Sequence, residues 1–410
     1  MTPLEINEAR LRDRMAALAR IGRDPRGGVS RLAYGDADRE ARDAVTAWMR
    51  EAGLSTRVDP AGNIVGRREG ADPSRTPLLV GSHVDSVPNG GDFDGPLGTL
   101  AAIECAHTLL DRGVAMLHPI EVVVWSNEEG GLCGSRAVSG QLPAFELNNV
   151  SASGMTIADG ICAIGGDPGR IEQARRAPGG IAGYLELHIE QGRVLENAGV
   201  DIGIVLGIVA IHQWEVTITG ETNHSGTTPM AERHDALLAA SRFVELVHEV
   251  VTSEPGAQVG TVGRLQASPG APNAIAGRAV CSLELRDLDP ALIGRLFRRI
   301  EAKANGIGAG TGTAFTFTQA LATVPAPSDP RIRRAIAEAA SALGCSTLEM
   351  PSGAGHDAQS LAPLAPIGMI FVPSVGGVSH SPAEHSTPEA VRNGANVLLN
   401  VLAAADRLLP

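Results

Sequence analysis

Four short apolar runs in this sequence each end in, or shortly before, a histidine or a carboxylate. The runs are 77–80, 120–125, 184–188 and 367–372, and their length and composition are typical of strands buried on both faces. A helix-like segment, 97–112, separates the first two, and strand, helix and strand in this order predict a mostly parallel sheet covered by helices. Because the carboxyl ends of parallel strands share one edge of a sheet, the side chains that follow these runs should meet there.

The first run leads to His83 and Asp85, and a second aspartate, Asp94, follows in a glycine-rich loop. This arrangement offers what a metal site needs. An imidazole can bind the ion, a neighbouring carboxylate can orient the imidazole, and a further carboxylate can bridge two ions. The alternative is a buried histidine next to two aspartates that only stabilise turns.

The other three runs end in the same way. Glu128 and Glu129 follow the second, His188 ends the third and His380 follows the fourth. The side chains of adjacent glutamates diverge, so one can bind a metal while the other stays beside a water molecule. A solvated loop or a core histidine would explain any one of these. Taken together, the four favour a binuclear centre with ions ~3.5–4 Å apart that share a carboxylate.

Charge and composition exclude several classes of partner. The formal net charge is −12, which disfavours binding to nucleic acid or to a membrane surface. The first residues carry charges where a signal peptide needs an apolar stretch, and no apolar run reaches the ~18 residues of a membrane span. The five cysteines are scattered and odd in number. We therefore expect a cytoplasmic protein with a small-molecule substrate.

The length of 410 residues is sufficient for two domains. We expect a first domain made of 1–212 and 328–410, with a smaller domain, 213–327, inserted into it. The alternating pattern at 213–219 indicates a half-exposed antiparallel strand. Further strands are predicted at 259–265, 279–286 and 313–318, with helices at 233–252 and 290–304. This pattern predicts an α+β fold for the insertion.

Several motifs together give the chain a family resemblance. It resembles the hydantoinase/carbamoylase family of binuclear-metal amidohydrolases, which includes N-carbamoyl-L-amino-acid hydrolases, β-ureidopropionases and allantoate amidohydrolases within the larger M20-type class of metallopeptidases. The similarity runs nearly end to end. The motifs that carry it are GGVSRLAY (27–34), GSHVDS (81–86), NEEG (127–130), HIEQG (188–192), NHSGTTPM (223–230), PNAI (272–275), SGAGHDA (352–358) and SHSP (379–382).

This resemblance implies two divalent ions per subunit. His83 and His188 would hold one ion, Glu129 and His380 the other, and Asp94 would bridge them. Zinc is the first expectation, with manganese, cobalt or nickel as alternatives, because nitrogen and oxygen ligands accept several metals. A second histidine, at position 385, competes with the one at 380, but only the latter lies in the SHSP motif.

The same resemblance implies catalytic and substrate-binding roles. Glu128 would be the general base, Asp85 would orient His83, and His224 of the insertion would stabilise the oxyanion. The substrate-binding candidates are Gln191, Asn273, Arg286 and His356. For two of these a simpler interpretation stays open, because Arg286 could form only a strand-end ion pair and His356 only a helix cap.

The implied reaction is hydrolysis of the C–N bond of a carbamoyl (ureido) group on a small carboxylate. An N-carbamoyl-L-amino acid would give the amino acid, ammonia and carbon dioxide, and allantoate or ureidopropionate is the alternative substrate. The loop 130–136 is shorter than is usual in the family, which leaves the subfamily open. The resemblance also implies a homodimer through an insertion that acts as a lid. A catalytically silent binding subunit, the non-enzyme alternative, would have lost metal ligands or the base, and none is lost.

Overall fold

The computed structural model describes residues 3–410, which divide into two compact units. The first comprises the residues up to Gly207 together with Pro327–Pro410, and the second comprises Ile208–Ala326. The sequence-based boundaries, 212/213 and 327/328, lie close to these. Within residues 3–410 no helix has the length and apolar character needed to cross a membrane.

The helices are α1 (Glu8–Leu18), α2 (Asp36–Glu51), α3 (Pro96–Asp111), α4 (Cys133–Ser139), α5 (Ile157–Ala163), α6 (Val194–Ala198), α7 (Ala236–Thr252), α8 (Pro290–Thr311), α9 (Pro330–Ala342), α10 (Asp357–Leu361) and α11 (Pro388–Leu408). The strands are β1 (Ser55–Val58), β2 (Ile64–Arg68), β3 (Leu78–His83), β4 (Ile120–Trp125), β5 (Gly183–Ile189), β6 (Ile202–Ile208), β7 (Ala210–Thr219), β8 (Val259–Thr261), β9 (Leu265–Ser268), β10 (Arg278–Asp287), β11 (Ala314–Ala322), β12 (Ala326–Pro327), β13 (Thr347–Ser352) and β14 (Ile367–Val372).

The four apolar runs singled out in the sequence form the centre of one sheet. They are β4, β3, β5 and β14, adjacent in that order, and each neighbouring pair is parallel. β2 joins this group antiparallel to β4, and β6 lies antiparallel to β14. The sheet therefore contains both parallel and antiparallel pairs. The predicted parallel arrangement holds for its four central strands only. β1 and β2 run antiparallel because the short turn 59–63 joins them directly, as in a hairpin.

Helix α3 lies across the middle of this sheet and brings a carboxylate to its edge. All of its turns contribute buried residues, and it packs on β3, β4 and β5. Pro96 occupies its first turn, and Gly95 precedes it with φ 81°. A Cβ at Gly95 would lie 2.4 Å from the His83 ring, so only glycine allows the loop bearing Asp94 to pass so close to His83.

The second unit is a five-stranded antiparallel sheet with two helices. The strand order is β11, β7, β10 and β8, and β9 also pairs with β10. Helices α7 and α8 cover the inward side chains of β7 and β10 in a separate apolar core. The single strand predicted at 259–265 is wrong, because its register against β10 shifts by one residue between Thr261, which pairs with Glu284, and Leu265, which pairs with Cys281. This irregularity splits the segment into β8 and β9.

Candidate metal centre

The carboxyl edge of the four central strands gathers overlapping groups of side chains that could bind a metal ion. Among residues 3–410, one group is His83, Asp94 and His188, and a second is Asp94, Glu129 and His380. In each group the candidate ligand atoms lie within 4.8 Å of one another. These two groups consist of the five residues that the sequence predicted as ligands, and they share Asp94. A third combination, Glu186, His188 and His356, shares His188 with the first.

Asp94 presents one carboxylate oxygen to each group. Its Oδ1 lies 3.2 Å from Nε2 of His188 and 3.6 Å from Nε2 of His83. Its Oδ2 lies 3.3 Å from Nε2 of His380, which is itself 3.6 Å from Oε2 of Glu129. A carboxylate that faces two donor sets with different oxygens has the geometry of a bridging ligand.

The two buried histidines are oriented so that a ring nitrogen of each faces the centre. Nδ1 of His83 lies 3.0 Å from the main-chain oxygen of Asp85, and Nδ1 of His188 lies 2.9 Å from that of Ile189. A carbonyl partner fixes the proton on Nδ1 and leaves Nε2 as the ligand atom. Nε2 of His83 is buried and has no hydrogen-bond partner in the described chain. This orphaned nitrogen fits a bound cation.

The ionisation of the ligands also fits a cation site. Burial by itself would lower the pKa of His83 and His188, but the surrounding carboxylates raise the pKa of both, that of His83 well above its ordinary value. Hydrogen bonding to Asp94 raises the pKa of His380 to about 9, and burial raises the pKa of Glu129 to about 7. The pocket thus favours positive charge, which protons supply when metal is absent and divalent ions supply when it is bound.

The orienting role predicted for Asp85 stays a prediction. Its main-chain oxygen lies 3.0 Å from Nδ1 of His83, and its carboxylate Oδ1 lies 3.7 Å from the same nitrogen. The carboxylate instead accepts the main-chain N–H groups of Glu128 (3.3 Å) and Glu129 (3.2 Å). Asp85, which is buried, therefore links the end of β3 to the main chain of both glutamates.

Glu128 faces the centre without belonging to either donor group. Its Oε2 lies 3.7 Å from Nε2 of His83, on the side of the histidine's unpaired nitrogen. Burial raises the pKa of Glu128 well above its ordinary value, and the Asp357 carboxylate adds to this against the opposing effect of His83. A carboxylate with a raised pKa next to the reacting centre is suited to accepting a proton near neutral pH.

The backbone adopts the left-handed conformation at three non-glycine residues of this edge. They are Asn127 (φ 51°), Gln191 (φ 59°) and His380 (φ 54°). Each lies directly before, shortly after or at a functional side chain. Strain of this kind persists only where surrounding contacts hold it, and it concentrates at functional sites.

Two of the predicted substrate-binding residues lie in the first unit, where they contact candidate metal ligands. Gln191 donates from Nε2 to Asp94 Oδ2 at 2.6 Å. His356 is buried, with its ring centroid 4.5 Å from that of His188 and its Nε2 3.0 Å from Oγ of Ser352. Their substrate-binding roles remain predictions. His385 packs edge-on against Phe93, 5.5 Å between centroids, and belongs to neither donor group, so His380 is the histidine that joins the centre.

Some residues of the centre were missed by the sequence analysis. Ser379 donates to Asp94 Oδ2 at 2.9 Å, and Glu384 lies behind it. Glu186 is fully buried under His188 and accepts from Ser82 and Tyr184. The SHSP motif was a signal for Ser379, whereas a glutamate in a polar loop or inside an apolar strand offers no local signal at all.

In the second unit, His224 and Asn273 come together. The main chains of the two loops are linked by the bridge between His224 and Ala274 and by a bond from Ser225 N–H to the Asn273 oxygen (3.1 Å). Nδ1 of His224 accepts from the N–H groups of Gly226 and Thr227, which leaves the ring proton on Nε2 of an exposed side chain.

Arg286 lies at the other end of the same sheet. It is paired with Ile211 and Val259 across β10, whereas the loops of His224 and Asn273 adjoin the opposite end at Arg278. Its Nε donates to Glu284 at 2.7 Å, and Glu284 also accepts from Gln213 at 2.6 Å. The ion pair that the sequence left open for Arg286 is formed through Nε with Glu284.

Comparison with known proteins identifies the family of this chain. The model of peptidase family M20/M25/M40 matches residues 79–404, which include all five candidate ligands. The chain belongs to this family. M20/M25/M40 membership confirms the metallopeptidase class that the motifs indicated.

Relatives of similar length are found within the family. An N-carbamoyl-L-amino acid amidohydrolase of Geobacillus stearothermophilus is 44% identical over 402 residues, 97% of this chain and 98% of that protein. An allantoate amidohydrolase of Bacillus subtilis (strain 168) is 35% identical and covers 94% of both chains. The crystal structure of a hydantoinase/carbamoylase family amidase from Burkholderia ambifaria aligns with a TM-score of 0.91 at 37% identity, covering 100% of this chain and 99% of that one. The predicted resemblance to the hydantoinase/carbamoylase family is confirmed.

Proposed function

We propose that this M20/M25/M40 member is a metal-dependent amidohydrolase that cleaves the C–N bond of a carbamoyl group on a small carboxylate. The observation that carries the proposal is the pair of donor groups sharing Asp94, with Glu128 beside them and outside both. The carbamoyl specificity is supported by the 44% identity to a full-length N-carbamoyl-L-amino acid amidohydrolase. Overall, one water and one N-carbamoyl-L-amino acid yield the amino acid, ammonia and carbon dioxide.

The five ligands would hold two divalent ions, zinc first, with manganese, cobalt or nickel as alternatives. Such ions polarise a carbonyl oxygen and lower the pKa of water. Glu128 takes the proton of the attacking water and returns it to the leaving nitrogen. Asp85 holds the Glu128 main chain in place, and His224 Nε2–H donates to the oxyanion.

The reaction can be tested by ammonia release from a small panel. We expect release from N-carbamoyl-L-amino acids, loss of activity after metal is removed with a chelator, and recovery on adding each metal back.

Allantoate is the second candidate substrate, favoured by the 35% identity to an allantoate amidohydrolase. Faster turnover of allantoate or ureidopropionate would reassign the substrate. Hydrolysis of dipeptides or N-acetyl amino acids without any ureido hydrolysis would contradict the proposal.

Arg286 is proposed to bind the substrate carboxylate bidentately, in competition with Glu284. Arg286→Leu should raise KM about tenfold or more for substrates with a free carboxylate and leave KM for their amides unchanged, because a charge pair contributes to binding only when both charges are present. Steady-state kinetics on matched acids and amides provide the measurement. Arg264→Leu, which removes another arginine paired with a glutamate on this sheet (3.2 Å), is the control. Equal losses for acids and amides would remove Arg286 from this role.

The second unit is proposed to act as a lid and to mediate a homodimer. Between Arg278 and Arg286 a strand rises roughly 26 Å at about 3.3 Å per residue. A small substrate therefore cannot contact both the loops of His224 and Asn273 and the Arg286 end of β10 in one copy. This separation supports a site completed by His224 of a second subunit.

Subunit mixing tests the shared site. Glu128→Gln and His224→Ala proteins should both be inactive, yet a heterodimer of the two has one site with both lesions and one with neither. Activity should then return toward half of wild type per dimer. A mixture of Glu128→Gln with Asp94→Ala is the control. Both substitutions lie in the first unit, so each site of that heterodimer carries one of them and the mixture should stay inactive. If the His224→Ala mixture stays inactive although exchange is shown independently, His224 acts within its own subunit.

A further inference from the structure

Glu384 lies between the two loops that carry Asp94 and His380. It is buried, with 5% of its surface exposed, and each carboxylate oxygen serves one loop. Oε1 accepts the main-chain N–H groups of Phe93 (2.9 Å) and Asp94 (3.0 Å). Oε2 accepts the N–H of His380 (3.2 Å) and lies 2.9 Å from the Ser379 hydroxyl, whose one proton is shared between Glu384 and Asp94 Oδ2, also 2.9 Å away. One side chain thus connects the bridging ligand to the last ligand.

His380 is the histidine ligand that depends most on such a connection. His83 ends β3 and His188 lies in β5, and the side chain of each is 1% exposed. His380 lies outside any strand, has a φ of 54°, and its side chain is 49% exposed. The sheet therefore cannot hold it, and the strained backbone requires fixed partners.

The neighbouring chain leaves space specifically for the Glu384 carboxylate. A Cβ at Gly91 would lie 2.1 Å from Oε1 of Glu384 and 2.4 Å from its Cβ. Gly91 thus permits a close approach that any larger residue would block. Four hydrogen-bond donors surround the Glu384 carboxylate, and the glycine beside it leaves the space it needs. The fold is therefore shaped to hold a carboxylate at this position.

We propose that Glu384 is a positioning residue that holds the His380 loop against Asp94 and thereby sets the affinity for the ion bound by Asp94, Glu129 and His380. The proposal rests on the binuclear site proposed above. Residues that support metal ligands in this way change metal affinity by ~10–100-fold when they are replaced.

The test is Glu384→Gln, which keeps the size of the side chain and replaces one acceptor oxygen with an NH₂ donor. The N–H groups of Phe93 and Asp94 can only donate, whereas the Ser379 hydroxyl can also accept. The amide oxygen should therefore stay with the Asp94 loop, and the NH₂ group should face Ser379 and oppose the His380 N–H. Stepwise calorimetric titration of the metal-free protein with Zn²⁺ should show one ion bound as in wild type and the other bound ~10–100-fold more weakly.

The weakened ion can be assigned with a second variant. In the His380→Ala protein, adding Glu384→Gln should not change the affinity for the remaining ion, because the loop it positions no longer carries a ligand. Ser379→Ala keeps the carboxylate but removes one of its two bonds to the His380 loop, together with the hydroxyl's contact with Asp94 Oδ2. It should weaken the same ion, and combined with Glu384→Gln it should weaken that ion by less than the product of the two separate factors. It also provides the test if Glu384→Gln does not fold.

Asp406→Asn is the matched control. Asp406 is another buried carboxylate that accepts two main-chain N–H groups, those of Leu117 (2.9 Å) and His118 (2.8 Å), outside the centre. Its replacement should lower the melting temperature and leave both metal affinities unchanged. If Glu384→Gln and Ser379→Ala behave like this control, Glu384 is only structural and the proposal is overturned. If wild type itself does not bind two ions, the binuclear function fails instead.

Discussion

Replacing Glu128 with glutamine should lower kcat by ~10³-fold or more while both metal ions stay bound, since general-base catalysis contributes on the order of 10²–10⁴. Glu128 belongs to neither donor group, so its loss removes a proton acceptor and no ligand. Its main-chain N–H would still bond to Asp85, which keeps the loop in place. The measurement is kcat for the preferred carbamoyl substrate, together with metal content by elemental analysis.

The neighbouring glutamate provides the contrast. Glu129 lies in the second donor group, 3.6 Å from His380, so Glu129→Gln should lose metal as well as activity. The two variants, which change adjacent and chemically identical side chains, would then both be inactive, and only Glu129→Gln would have lost metal. Near-normal turnover by Glu128→Gln would assign the base to another residue, and loss of metal from it would make Glu128 a ligand.

Asp94→Ala should remove both ions and all measurable turnover. Asp94 faces His188 with one oxygen and His380 with the other, so one substitution takes a ligand from each donor group. It would also leave buried histidines without the carboxylate that balances their charge. Metal content after dialysis and the rate of ammonia release are the two measurements.

Asp92→Ala is the control for that variant because Asp92 lies in the same glycine-rich loop. Its carboxylate pairs with Arg23 at 3.1 Å near the surface and belongs to neither donor group. Metal content and activity should stay close to wild type, since an exposed ion pair contributes little to stability. Retention of two ions by Asp94→Ala would contradict the shared-ligand arrangement.

Much of the centre follows from local sequence pattern. A run such as 120–125, apolar apart from Glu121, is typical of a buried strand, and the observed β4 has those bounds. The same holds for the run at 367–372, which is β14. Because parallel strands end at a common edge, the residues after them, Glu128, Glu129 and His380, could be placed together before any contact was known.

The tertiary structure decided what each of those residues contacts. The antiparallel pairing of β2 with β4 and of β6 with β14, and the split between β8 and β9, depend on strands that come from other parts of the chain. Asp85 was recognised as a supporting carboxylate, but its bonds to Glu128 and Glu129 follow from the packing of β3 beside β4.

Glu384 is the clearest example of a residue whose role could not be predicted from the sequence. Nothing in its local sequence distinguishes it from a solvated glutamate, and its partner Asp94 is 290 residues away. The sequence by itself determined which segments become buried strands and which ligand types follow them, because apolar periodicity and residue chemistry are local properties. Only the tertiary structure determined the hydrogen bonds that hold those ligands in place, because a buried carboxylate takes its partners from whatever chain segments the packing brings beside it.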